Sequence, residues 1–343
     1  MQKKLIVLAI AAMASTSAFA DVTVYGVADA AVTNSTATGK KDSLTVTSGG
    51  LSTSRLGVNA SEDLGNGLKA IVNIEYKLDI ANNAAPGVAA GTPADAARQQ
   101  LLGLTGDFGT VAAGYLQTAG YDFTGLFDPT AGSAVTSQDA VHVSTLIQQS
   151  ARAPHALAYI SPSFSGLSFA VNHVFDVANI GAVASADTTT AGNKTTANVL
   201  SVTYKAGPLV VAGIYAGTAN DGANYNKVSD MSVGASYDLT VVKLFGSWQN
   251  TKTDNALGTD SAMTFHAVAP VTATGAAVVS YGKNSINSAA KSATVGDASS
   301  FTVAYLESLS KTATAYAAYE KKTVDATSSI DSSVLAVGLR KKF

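Results

Sequence analysis

Polar and apolar positions alternate along most of this chain. From Leu68 to Ile80 the residues Leu68, Ala70, Val72, Ile74, Tyr76, Leu78 and Ile80 are apolar. Lys69, Asn73, Glu75, Lys77 and Asp79 between them are polar, with Ile71 the one exception. A period of two puts successive side chains on opposite faces of a strand. Strands of soluble domains run to about 5–6 residues, whereas a tilted strand that crosses a bilayer needs about 9–11. The same pattern recurs elsewhere. Val22, Val24, Ala28 and Val32 oppose Thr23 and Asp29. Leu200, Val202 and Tyr204 oppose Ser201, Thr203 and Lys205. Val233, Ala235, Tyr237 and Leu239 oppose Ser232, Ser236 and Asp238, Val242, Leu244 and Trp248 oppose Lys243, Ser247 and Gln249, and Phe301, Val303 and Tyr305 flank Thr302.

Two kinds of connection separate these segments. Short clusters of Gly, Asp, Asn, Pro and Ser, the residues that tight turns require, stand at 62–67, 105–109, 161–166, 206–208, 238–240, 269–275 and 307–310. Longer polar stretches alternate with them near 33–50, 81–97, 118–151, 177–196, 217–229, 250–260, 282–298 and 321–331. Seven turns and eight loops predict sixteen strands. An even count with short turns on one side and long loops on the other is the asymmetry of bacterial outer-membrane barrels. The expected fold is all-β: a 16-stranded antiparallel transmembrane β-barrel with short periplasmic turns and long extracellular loops. About 8 strands fill with side chains, whereas 16–18 leave an aqueous channel.

Composition sharpens this picture. Charged residues make up 13% of the chain and hydrophobic residues 47%, against about 25% charged in a typical soluble domain. Beyond the N-terminal segment there is no run of about 18 apolar residues, so helical spans are excluded. Met1 to Ala20 reads as a cleaved signal peptide: Lys3 and Lys4, an apolar run from Leu5 to Ala14, then Ala18-Phe19-Ala20. Cleavage after Ala20 would leave 21–343 as the barrel and move the net charge from −2 to −4. An acidic balance argues against a nucleic-acid partner. The chain has no cysteine, and a closed barrel needs no disulfide because its hydrogen-bond ladder has no free edge.

Several blocks stand out: Asp21-Val22-Thr23-Val24-Tyr25-Gly26, Ser54-Arg55-Leu56-Gly57 with Glu62-Asp63-Leu64-Gly65-Asn66-Gly67-Leu68-Lys69-Ala70, and Arg98-Gln99-Gln100-Leu101-Leu102-Gly103-Leu104 with Gly106-Asp107-Phe108-Gly109-Thr110. Tyr159-Ile160-Ser161-Pro162 and Gly338-Leu339-Arg340-Lys341-Lys342-Phe343 complete the set. Together they resemble the general porins of Gram-negative bacteria of the Neisseria and Burkholderia type. The resemblance implies homotrimers of 16-stranded barrels in outer-membrane lipid and lipopolysaccharide, a third loop folded into each lumen, and passive passage of small hydrophilic solutes and ions. It also implies that the last strand, with Leu335, Val337, Leu339 and the terminal Phe343, serves as the signal read by the barrel-assembly machinery. Two departures stand out. Where relatives carry a Pro-Glu-Phe-Gly-type tip on the inward loop, this chain has Phe127-Asp128-Pro129, and where they commonly have Asn-Ser, it has His155-Ala156.

The third loop, 118–151, carries Asp122, Asp128 and Asp139 and no Lys or Arg before Ala151. Folded inward, it would present an acidic side of a constriction, with a basic wall opposite. By position in the resemblance the candidates are Arg55, Arg98 and Arg152. Alternation turns Arg55 inward, opposite to Leu56 and Val58, and Arg152 inward, opposite to Leu157 and Tyr159. It sets Arg98 on the lipid side with Leu102 and Leu104 unless a bulge intervenes. Lys69 and Lys77 face inward by the same count, with Lys205 and Lys243 as weaker candidates. Opposed charges across a narrow gap bias which ion enters, and the arginines point to a weak anion preference; they could equally serve to pair with the loop acids and hold the loop down. An arginine facing lipid at mid-depth would cost about 2–4 kcal/mol.

Other chemistries find little support. His142, His155, His173 and His266 lack metal-ligand spacing, and no Gly-x-Ser-x-Gly elbow, Walker A loop or Gly-x-Gly-x-x-Gly fingerprint occurs. No catalysis and no cofactor are expected. The alternatives are a barrel adhesin or barrel enzyme with a plugged lumen, and a soluble secreted β-sandwich; bilayer conductance and the need for detergent separate these from a channel.

Overall fold

A computed structural model describes residues 20–82, 97–143, 151–175, 195–220, 227–254, 258–287, 291–292, 295–326, 328 and 330–343. The segment before Ala20 and parts of seven of the eight long loops lie outside them. The described residues form one antiparallel sheet that closes on itself. Its strands are β1 (Ala20–Ala37), β2 (Ser43–Ser48), β3 (Arg55–Gly65), β4 (Leu68–Lys77), β5 (Ala97–Gly106), β6 (Gly109–Gln117), β7 (Arg152–Ile160), β8 (Leu167–Val174) and β9 (Thr195–Ala206). They continue as β10 (Leu209–Asn220), β11 (Val228–Asp238), β12 (Lys243–Thr253), β13 (Gly258–Pro270), β14 (Gly275–Ser285), β15 (Asp297–Ser308), β16 (Ala313–Asp325) and β17 (Ile330–Lys342). β2 and β3 lie end to end along one edge of β1, β2 opposite Ala30–Ser35 and β3 opposite Ala20–Val27. Together they fill one place, so the barrel has sixteen staves.

All seven short turns fall where the sequence sets them. The loops differ more. β1 and β2 extend into the segment read as loop 33–50, and β12 and β13 leave only 254–257 between them. β4 ends at Lys77 instead of Ile80, although the Leu78 N–H still donates to Ser54 O at 2.8 Å, one residue beyond the Arg55–Lys77 pair.

Alternation sorts the side chains as a barrel in lipid demands. Val24, Val32, Leu102, Leu200, Val233, Tyr237, Phe301 and Val303 are exposed on the outside, while Asp29, Ser232, Ser236, Gln249 and Thr302 are buried on the inside. The ring closes between β1 and β17, with Asp29 opposite Arg340 and Val32 opposite Val337. Phe343 completes it: its N–H and C=O bond to Gly26 O and N at 3.1 and 2.9 Å. A Cβ on Gly26 would stand 2.4 Å from the Phe343 ring, so this position has room only for glycine.

Two helices of the third loop fill part of the interior. In α1 (Ala119–Phe127), Thr118 caps the start by accepting from the Tyr121 N–H. Ala119, Phe123 and Phe127, four apart, form one buried face against Val199, Ala212, Ile214 and Ala216 of the inner wall. The short α2 (Ser137–Val141) docks through Ser137 Oγ, 2.8 Å from Thr302 Oγ1. α1 packs on β8–β12 and α2 on β13–β16. Small residues make this possible: a Cβ on Gly234 would lie 2.4 Å from the Phe127 ring, and one on Gly282 2.7 Å from Val141.

Candidate pore constriction

Loop 3 covers the wall from β8 to β16 and leaves open the arc formed by β3 to β7. That arc carries the basic residues. Arg55 on β3 stands opposite Lys77 on β4, and one rung below, Glu75 of β4 stands opposite Gly57 and Gln99. Glu75 is the hub. Its Oε1 lies 2.5 Å from Arg98 Nε, its Oε2 lies 3.5 Å from Arg55 Nε, and Oε2 also accepts from Tyr25 OH at 3.0 Å. Asn73 Nδ2 donates to the same tyrosine oxygen at 2.8 Å. A carboxylate held by two guanidinium groups and a hydroxyl is fixed in direction, and fixes theirs.

Arg98 reaches this cluster through a bulge. Glu75 pairs with Gln99 and Tyr76 with Ala97, so Arg98 is an extra residue in β5. Strict alternation therefore misplaces it outward; the bulge turns it inward. Arg152 arrives by another route than the count suggests. The β6–β7 register also slips, with Gly114 opposite Ala156 and Leu116 opposite Ala153, and His155 in this bulge has φ 49°. Counting from Leu157 passes over the added residue. Arg152 is instead carried to the lumen by its place at the neck of loop 3, where the Thr118 N–H donates to Ala151 O. Its guanidinium lies 4.3 Å from the centroid of the Tyr121 ring. Lys77, Arg98 and Arg152 line an open space of about 290 Å³ together with Tyr121 and Gly132 of loop 3.

The other expected site residues divide. Lys69 shares the inner face but sits eight residues from Lys77, roughly 27 Å along the strand at about 3.4 Å per residue; it belongs to the turn end of β4, not to the cluster. Lys205 and Lys243 also lie beside short turns, Lys243 over the Phe245 ring. Asp122 is exposed at the loop surface and bonded by Gln117 Nε2. Asp128 does not face the lumen. It is 2% exposed, and its oxygens accept from the Thr130 N–H and Oγ1, both at 2.7 Å, and from Thr136 Oγ1. It shapes the link between α1 and α2, with His266 Nδ1 3.8 Å away. The Asp139 side chain lies outside the described residues. The acidic partner of Arg55 and Arg98 is thus Glu75 on the wall, which the pattern of the sequence marks only as one more polar strand residue. Its inward phase beside Lys77 was the signal available. No metal-binding cluster occurs among the described residues.

A sixteen-staved barrel with an inward loop and a charged open arc has close counterparts. A family model described as Gram-negative porin matches residues 7–327. This chain belongs to the Gram-negative porin family. It is 29% identical over 334 residues to outer membrane porin protein 32 of Delftia acidovorans, covering 92% of this chain and 88% of that one. It is 35% identical over 182 residues to major outer membrane protein P.IB of Neisseria meningitidis, where the match spans about half of each chain: 51% of this porin and 50% of the relative. Among solved structures, the anion-selective porin from Comamonas acidovorans superposes with a TM-score of 0.77 at 22% identity, covering 94% of this porin and 100% of that chain. At that identity the likeness speaks for the fold.

Proposed function

We propose that the porin forms a water-filled outer-membrane channel through which small hydrophilic solutes and ions diffuse passively, with a weak preference for anions. The observation that carries this reading is the charge of the arc left open by loop 3: among the described residues, Arg55, Lys77, Arg98 and Arg152 outnumber Glu75 of the wall and Asp122 of loop 3, which lies within electrostatic reach of Arg152. A unit charge about 7 Å from an ion's path contributes about 0.6 kcal/mol even at the permittivity of water. Several uncompensated cations therefore suffice to bias entry. Low-dielectric barrel walls focus their field further. Passage involves no chemical step and no cofactor.

The reading includes a homotrimer in lipid and lipopolysaccharide, as in the general porins the chain resembles, cleavage after Ala20, and recognition of the last strand with Phe343 by the assembly machinery. Reversal potentials of the purified protein in planar bilayers across a tenfold salt gradient test it. The expected sign is that of anion permeation. A cation-selective channel overturns the preference, and a folded protein that never conducts overturns the channel.

A further inference from the structure

β1 meets an interruption in its partner strand. Val27 pairs with Arg55 and Ala30 with Ser48, so residues 49–54 stand opposite only Ala28 and Asp29. The surplus chain forms an arch on the lumen side, and Asp29 is the group that gathers it. Asp29 is wholly buried. Its Oδ2 accepts from the N–H groups of Leu51 and Ser52 at 3.1 and 2.8 Å, and its Oδ1 accepts from Tyr316 OH at 2.5 Å. Its backbone C=O accepts from the Gly49 N–H at 2.8 Å and from Ser54 Oγ at 3.0 Å, and its own N–H donates to Ser54 Oγ at 3.0 Å. Both ends and the crown of the arch are thereby tied to one residue. The crown is also where loop 3 makes contact on the far side of the lumen from its neck: the Ala134 N–H donates to Gly50 O at 3.0 Å. Leu51 of the arch shares a buried cluster with Val135 of the loop and Tyr316. The arch continues through Thr53, whose C=O accepts from Arg55 Nη1 at 3.1 Å, into the basic cluster.

We infer that Asp29 is a positioning residue for the constriction: by fixing the arch of residues 49–54 it holds the tip of loop 3 and aligns Arg55, and so sets the width and steadiness of the opening. A carboxylate suits this task because it can take two backbone N–H groups on one oxygen and a phenol on the other, and bonds to a charged acceptor are stronger than neutral ones. With the tip released, loop 3 remains anchored only by its neck and its seat on β8–β16. The channel would then wander between levels.

This inference rests on the channel reading above, and single-channel recording separates the two: a silent wild type defeats that reading, whereas a conducting wild type with an insensitive Asp29 defeats this one alone. In Asp29→Ala, refolded protein that keeps the heat-modifiable gel shift of an intact barrel should spend at least about tenfold more time in altered conductance levels, the change expected from even one of the three charge-assisted hydrogen bonds that are lost. Asp29→Asn keeps an acceptor for Leu51 and Ser52 and should restore most of the steadiness. Ala134→Pro removes the loop's donor without touching the arch and decides the matter if Asp29→Ala does not fold. It should reproduce the same unsteady levels, and Asp29→Ala with Ala134→Pro should be no worse than either alone, as coupled sites require. Wild-type level statistics in Ala134→Pro, or effects that simply add, would overturn the assignment.

Discussion

Two rows of inward residues run round the same barrel and do opposite things. One passes through Gly234, Ser247, Thr264, Gly282 and Ser300, directly opposite one another on five successive strands. All five are small and neutral, and loop 3 lies on them. The other crosses the open arc, where Arg55 faces Lys77 and Glu75 faces Gln99. Both rows obey the same period of two, so alternation alone says that a residue points inward and not what it meets there. Side-chain size decides where the loop can rest. Charge collects where it cannot. The pore is off-centre because the first row makes room for helices and the second repels nothing that is dissolved in water.

The largest expected effect is on the charged row. Replacing Arg55, Arg98 and Arg152 together by Ala should abolish the anion preference in reversal-potential measurements, since each lost charge is worth at least about threefold in ion occupancy at water-like permittivity. A triple variant with the wild-type reversal potential would remove this row from the constriction. Next comes the neutral row. Gly234→Val places a Cβ against Phe127, and overpacking of this kind costs about 1–3 kcal/mol; single-channel conductance should fall as α1 is pushed into the lumen, with the barrel still folded. The same substitution at Gly213, where an added Cβ meets nothing nearer than a Val233 methyl on the adjacent strand at 3.9 Å, should leave conductance unchanged. A smaller change of opposite sign follows from Glu75→Gln: the charge is lost while an acceptor stays for Arg98 and Tyr25, and anion preference should rise by about threefold. The mildest test needs no substitution. Raising salt from about 0.1 M to 1 M shortens the screening length from about 10 Å to about 3 Å, so selectivity should fade towards that of a neutral pore.

Much of this was legible in the sequence, and the exceptions have physical causes. Val233 and Tyr237 outside with Ser232 and Ser236 inside follow from the pattern, because lipid and water impose it on every rung. Gly65-Asn66-Gly67 and Ala206-Gly207-Pro208 mark turns, because few residues tolerate the backbone needed there. Arg98, a candidate by resemblance, failed the alternation count since a bulge adds a residue without altering any polar or apolar letter around it. Arg152 was expected inward by a count that a second bulge invalidates, and reaches the lumen through the neck of loop 3 instead. Asp128 was misplaced since a loop has no period: nothing in Phe127-Asp128-Pro129 distinguishes a carboxylate facing water from one consumed by Thr130 and Thr136. Glu75 was visible as an inward acid, but its importance comes from neighbours on two other strands that only the register brings to it.

The added residue in β5 has a wider consequence. Because the slip lies at the loop end of the strand, Leu102 and Leu104 below it keep their lipid-facing phase. Gaining or losing one amino acid at that rim would turn a cation towards or away from the passage while every membrane contact stays put. Lineages can therefore retune what a porin of this kind admits through changes in length as well as by exchanging side chains, without rebuilding the staves.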